Sequence, residues 1–264
     1  MDVDESVATL GCARFMEEGY QAQLKSVIMV KNSCLPLKDA KAWVAKREDG
    51  SFCTDTSLVA RYFGIASDPS EADFAVCFVT GPAGGDGYSA SDRESGGTGY
   101  VPISLQYEDY TAQDAREESL AGGDPLENFT NRSFRGKSVS CSNADDLEMV
   151  RKARVLMGKK PVVTAVSFLN PFVPASLDSL SDALLLLPWV QHQCALDIMS
   201  GKVEPSGLLP MQMPADMLTV EQQQEDVPLD MRCYRDTSGN VYDFAFGLDW
   251  GGVISDKRVK KYKR

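Results

Sequence analysis

The chain has 264 residues, 43% hydrophobic and 25% charged, a globular composition long enough to bury a core without staples. Lys and Arg number 27 against 38 Asp and Glu, a formal charge of −11 that argues against nucleic acid or an anionic membrane as partner. The last nine residues run the other way: 256–264 hold six basic residues and one acid, leaving −16 on residues 1–255.

Residues 5–26 read as one amphipathic helix, with Val7, Leu10, Phe15 and Leu24 among acids and glutamines. A strand is expected over 27–30, a turn over 31–37, a short strand over 40–45 and a short helix over 56–63. Asp73-Phe-Ala-Val-Cys-Phe-Val79 is a continuous apolar run, as expected of a strand buried on both faces. Residues 80–99 then hold seven glycines and read as one long irregular segment. Asn143 is expected to cap a helix through Met157, ended by Gly158. A strand over 161–166, a helix over 175–180, a strand over 183–187 and a helix over 191–200 complete the pattern. Buried strands alternating with helices predict one open, mostly parallel α/β sheet over residues 1–255, followed by a basic tail at 256–264. Ligands of such sheets gather at the carboxyl ends of the strands, where the 80–99 segment begins.

The seven cysteines are widely spaced and form no CxxC pair, so they read as buried, reduced thiols and not as a disulfide framework or zinc site. The acidic start Met1-Asp-Val-Asp-Glu5 has none of the features of a signal peptide, and no uncharged apolar stretch reaches the roughly 18 residues needed to span a bilayer. A soluble protein is therefore expected, its compartment open. The sequons at Asn128 and Asn131 read as chance.

A glycine-rich segment of this length is functional or simply solvated. It offers three acids (Asp86, Asp92 and Glu94) together with Arg93 and Tyr88, groups suited to acid/base chemistry or to gripping sugar hydroxyls. Phosphate binding fits poorly: the segment holds no lysine, and its glycines have neither P-loop nor GxGxxG spacing. No GxSxG elbow presents a serine. The single histidine, His192, sits at a strand-to-helix junction, where it either packs or touches a ligand. The Asp145-Asp146 and Glu117-Glu118 pairs read as solvated helix faces. No metal or cofactor is expected.

Three blocks in order carry a resemblance. Ser26-Val-Ile-Met-Val-Lys-Asn32 with Leu35-Pro-Leu37, then Asp197 to Pro210 around Pro205-Ser-Gly207 with Met213-Pro214, then Tyr242-Asp-Phe-Ala-Phe-Gly-Leu248 resemble the C-terminal α/β sandwich domain of glycoside hydrolase family 3 over residues 20–254. The resemblance implies a six-stranded, mostly parallel sheet with helices on both faces. It also implies a retaining β-glycosidase acting on β-linked saccharides, of the β-glucosidase type. Such enzymes need two carboxyl groups about 5–5.5 Å apart. The family's nucleophile is an Asp on a (β/α)8 barrel of about 250 residues, expected here in cis or in trans because none precedes Met1. The acid/base is a Glu on a sandwich-domain loop, and Glu94 before Gly96-Gly97 is the best match, with Asp92 and Asp86 as fallbacks. Arg93, Tyr88 and His192 would contact sugar. Leu248-Asp-Trp250 echoes the barrel's nucleophile signature at the wrong end of the chain, so Asp249 is not assigned that role. Two rival readings are a non-catalytic carbohydrate-binding or assembly module and a flavodoxin-like nucleotide or flavin binder.

Overall fold

The computed structural model describes residues 2–118, 126–224 and 226–262. The expected N-terminal helix is two: α1 (Val3–Thr9) and α2 (Ala13–Ser26), broken where Gly11 takes φ +70°. Val7 and Leu10 stay exposed, and of the four expected apolar anchors only Leu24 is buried. The next elements are β1 (Ile28–Asn32), β2 (Lys41–Val44), α3 (Thr56–Val59), β3 (Gly64–Ile65) and β4 (Phe74–Thr80).

A long excursion above the sheet follows, carrying α4 (Ala90–Glu94) and the two-stranded ribbon β5 (Tyr110–Thr111) and β6 (Ser138–Val139). The chain returns through α5 (Ala144–Met157), β7 (Val162–Ser167), α6 (Ala175–Leu180), β8 (Ala183–Leu187) and α7 (His192–Met199). It ends with α8 (Met217–Gln222), β9 (Leu248–Asp249), β10 (Gly252–Val253) and α9 (Lys257–Tyr262). In that last helix Arg258 donates to the Ser206 carbonyl at 2.8 Å, and Tyr262 meets Phe244 edge-on.

The main sheet runs β10-β9-β1-β8-β7-β4-β2-β3. Strands β8, β7, β4, β2 and β3 are mutually parallel, while β1, β9 and β10 add in antiparallel fashion. Among the described residues the sheet thus has eight strands and not the expected six. The strands β3, β9 and β10 are two residues each, too short to write a period-two pattern into the sequence. Every residue of β8, and all but the last of β4 and β7, is buried, because helices cover both faces. Helices α5 and α6 pack together on one face, where α5 lies on β4 and β7. On the other face α2 packs on α7, and the carboxylate of Asp197 in α7 accepts from the hydroxyls of Tyr20 in α2 and Tyr62 beyond α3. Cys77, Cys141 and Cys194 are buried as expected; Cys12, Cys34, Cys53 and Cys233 are only half-buried.

The three blocks that carry the family resemblance meet in space. Gly207 N–H donates to the Val27 carbonyl, Leu37 N–H to Met199, Leu209 N–H to Phe246 and Met213 N–H to Tyr242. Gly207 and Gly247 are needed for closeness: a Cβ on the first would collide with the Val27 carbonyl, and one on the second with the Gly207 carbonyl. The Tyr242 ring stacks on Phe246 at 5.4 Å, and its hydroxyl donates to the buried Asp178 at 3.1 Å. Asp178 also accepts from the Tyr234 hydroxyl and pairs with Lys31 at 3.5 Å. These blocks form a packing seam beside the entry strand.

Candidate functional site

The parallel strands β4, β7 and β8 end in register, with Thr80 beside Ser167 and Ser167 beside Leu187. Three loops therefore leave one level edge. An open cleft of about 400 Å³ lies there, lined by Gln23, Thr80, Ser167, Trp189 and His192. A neighbouring cleft of about 220 Å³ shares Thr80, Ser167 and Trp189 with it and extends to Asn170 and Phe172.

The exit from β4 is fixed by Asp146, which is fully buried, contrary to its expected place on a solvated face. The carboxylate accepts from Arg47 Nη2 at 2.6 Å, Arg47 Nε at 2.9 Å and the Thr80 N–H at 3.0 Å. Asn143 stands at the expected cap position of α5 but makes no side-chain cap bond. Its amide instead donates to the Thr80 carbonyl at 3.1 Å and accepts from the Ala83 N–H at 2.8 Å. Tyr107 closes the same turn by donating to the Thr80 carbonyl at 2.6 Å. A buried carboxylate with these partners is a structural clamp that aims the loop.

The 80–99 segment is more ordered than its glycines suggest. Isolated bridges pair Gly84 with Ser104 and Tyr88 with Tyr100, and Ser89 caps α4 by accepting from the Asp92 N–H. All five loop residues singled out in the sequence lie on this one excursion, in different states. Asp92 accepts from Lys137 Nζ at 2.7 Å and the Gly99 N–H at 2.8 Å; the ammonium holds its carboxyl below the usual carboxylate range. Arg93 donates to the Asn128 side chain at 3.2 Å and to the Gly97 carbonyl at 3.3 Å, over the Phe129 ring. Asp86 is exposed and accepts from the Tyr88 N–H at 3.2 Å, while the half-open Tyr88 ring packs on Gly99. Glu94, the last residue of α4, is exposed and its carboxylate has no polar partner among the described residues.

His192 sits apart from that cluster, at the carboxyl end of β8. Its ring stacks on Phe78 at 4.4 Å, Nδ1 meets the Thr54 hydroxyl at 3.0 Å, and burial pushes its pKa below the ordinary value, so it is neutral at pH 7. Asp249 lies in β9, two strands beyond β8, where its carboxylate accepts from the Gly251 N–H at 2.8 Å. A further cleft of about 310 Å³ lies below the excursion, between Tyr100, Ile103 and Tyr110 on one side and Met217 and Val220 of α8 on the other. Among the described residues no group of three or more His, Cys, Asp or Glu could hold a metal ion, and no helix is long and apolar enough to cross a membrane. Reasoning from sequence missed Arg47, Asn143, Asp146 and Trp189. Only Trp189 had a local signal, as an aromatic residue two positions past a strand's carboxyl end.

No family model matches the chain. Among curated proteins, a 116-residue stretch covering 44% of the chain is 28% identical to probable β-glucosidase C of Aspergillus oryzae, of which it spans 17%. Among solved structures, β-glucosidase 3B of Thermotoga neapolitana in complex with glucose matches 91% of the chain at TM-score 0.52 and 15% identity. β-Glucosidase from Listeria innocua matches 94% at TM-score 0.53 and 15% identity. The chain spans 39% and 35% of those two proteins. It thus shares its fold with part of these longer β-glucosidases, and the resemblance to the C-terminal sandwich of glycoside hydrolase family 3 is borne out.

Proposed function

We propose that this chain is the sandwich-domain component of a retaining β-glycosidase, carrying the acid/base on Glu94 and one wall of the sugar site. The nucleophilic Asp would come from a (β/α)8 barrel supplied in cis or in trans. The observation that carries this reading is the fold shared over nine-tenths of the chain with β-glucosidases, combined with a carboxylate-bearing loop leaving the level edge of β4, β7 and β8.

The surroundings of the three loop carboxylates favour Glu94. A general acid must hold a proton near neutral pH, and Asp92 is kept ionised by Lys137. The Asp86 side chain is turned to its own loop backbone. Glu94 is exposed at the end of α4 with its carboxylate uncommitted, so it is available to a barrel closing over it. In the first step its carboxylic acid would protonate the glycosidic oxygen as the barrel Asp attacks the anomeric carbon. In the second, its carboxylate would take a proton from the water that releases the sugar with retained configuration. Arg93, tied to Asn128 and Gly97, serves mainly to hold the loop in place.

With the barrel present, Glu94→Gln should slow natural disaccharides roughly 10²- to 10⁴-fold, the range of acid/base catalysis. Aryl glycosides with good leaving groups, which need no proton to depart, should lose far less in the glycosylation step. Equal losses on both substrates exclude the acid role. A second reading, a saccharide-binding or assembly module without turnover, is favoured by the use of Asp92 and Arg93 in holding the loop. Calorimetric binding of β-glucans without hydrolysis by the barrel-complemented protein would establish it.

A further inference from the structure

The edge of β7 and β8 carries a feature the Glu94 loop does not use. Beyond Leu187 and Pro188 the chain turns tightly at Trp189, whose N–H donates to the Leu187 carbonyl at 2.7 Å and whose backbone sits at φ +57°. A bulky L-residue in the left-handed region is strained, and such strain gathers at ligand sites. The strain is not offset by burial of the side chain, which is 63% exposed. The indole stands where the two clefts join.

The rest of the lining selects the kind of ligand. Neither cleft is lined by a side chain carrying a formal charge at pH 7, which disfavours phosphates, nucleotides and carboxylates. The hydroxyls of Thr80 and Ser167 and the amide of Asn170 make no hydrogen bond to other described residues. Gln23 accepts from the Gln191 N–H at 2.9 Å and keeps its amide donors, and His192 has spent only Nδ1. An open aromatic face beside uncommitted hydroxyls and amides matches a pyranose, which has one apolar C–H face and a rim of hydroxyls. We propose that Trp189 is the stacking platform of a saccharide subsite at the carboxyl ends of β4, β7 and β8. Its ligand is a β-linked glucosyl unit, with Thr80, Ser167, Asn170 and Gln23 meeting the sugar hydroxyls. The choice of sugar rests on the β-glycosidase reading; the uncharged, polyhydroxylated class of ligand rests on the cleft itself.

The test is a titration of the full chain with cellotriose and with laminaritriose, followed by calorimetry and by tryptophan emission. Trp43 is buried and Trp250 is half-buried beside β9, so an emission change is assigned to Trp189 by its absence in Trp189→Gly. At least one trisaccharide is expected to bind, and Trp189→Gly to weaken it roughly tenfold, the loss of one good aromatic contact. Glycine accepts φ +57° without strain, so this variant should unfold at the same temperature as wild type or higher. Trp189→Leu keeps the bulk and loses the π face, and should bind as poorly as the glycine variant. Wild-type affinity in either variant overturns the platform and leaves the glycosidase reading standing. No binding of either trisaccharide by the wild-type chain overturns the subsite itself.

Discussion

The seam of residues 26–37, 197–214 and 242–248 and the rim of residues 80–142 are built from different kinds of interaction. In the seam, backbone touches backbone: Gly207 lies on Val27, Gly247 lies on Gly207, and the polar side chains Lys31, Asp178 and Tyr242 are spent on one another. In the rim, side chains hold backbone: Asp146 and Asn143 fix the exit from β4, and Lys137 pins the loop through Asp92. The seam holds the residues by which the chain resembles a family, yet none of its side chains lies in the clefts at the level edge. The rim holds the candidate chemistry and resembles little from its sequence alone. A motif can therefore identify a fold through packing constraints while the groups that touch substrate lie elsewhere.

This contrast can be broken experimentally. Gly247→Ala should have the largest effect, because its Cβ meets the Gly207 backbone carbonyl and not a side chain that can turn away. A loss of about 3 kcal/mol or more in urea denaturation is expected; wild-type stability would mean the seam can open without cost. Asp146→Ala should follow, at roughly 3 kcal/mol, since it leaves Arg47 without its main partner and the Thr80 N–H unsatisfied. Loop amides should lose more exchange protection in this variant than seam amides do, and uniform loss would make Asp146 a general core residue.

The smallest effect expected is one of pH. The Asp92 pKa is depressed in the folded loop, so the ion pair's stabilising contribution is complete above the unfolded value of about 3.9 and disappears as pH falls through the folded value. Protection of the Gly99 amide should thus be level from pH 7 to about 5 and fall only in more acid solution. Lys137→Met should move that fall to higher pH. An identical profile in the variant would show that Lys137 does not hold the loop.

Local patterns were enough for the long elements. The apolar run 73–79 and the Leu-rich run 183–187 became central parallel strands within one residue of their expected bounds, since a strand buried on both faces has no polar alternation to blur it. Helix α5 ended at Gly158 as its residues indicate. The single long N-terminal helix failed at Gly11, and the Asp145-Asp146 pair split, one carboxylate facing solvent and its neighbour entirely buried. A helix turns about 100° per residue, so adjacent residues have different surroundings, and nothing local shows that Arg47, almost a hundred positions away, will arrive opposite one of them.

Composition and periodicity, then, determined a mostly parallel α/β fold and pointed to the loop after the 73–79 strand as the candidate edge, because those features depend on residues near one another in the chain. Tertiary structure alone decided which loop carboxylate is tied down, where the buried clamp lies, and that Trp189 stands strained and open between two uncharged clefts. Each of those facts is a meeting of segments far apart in sequence, where burial and electrostatics act on distance in space.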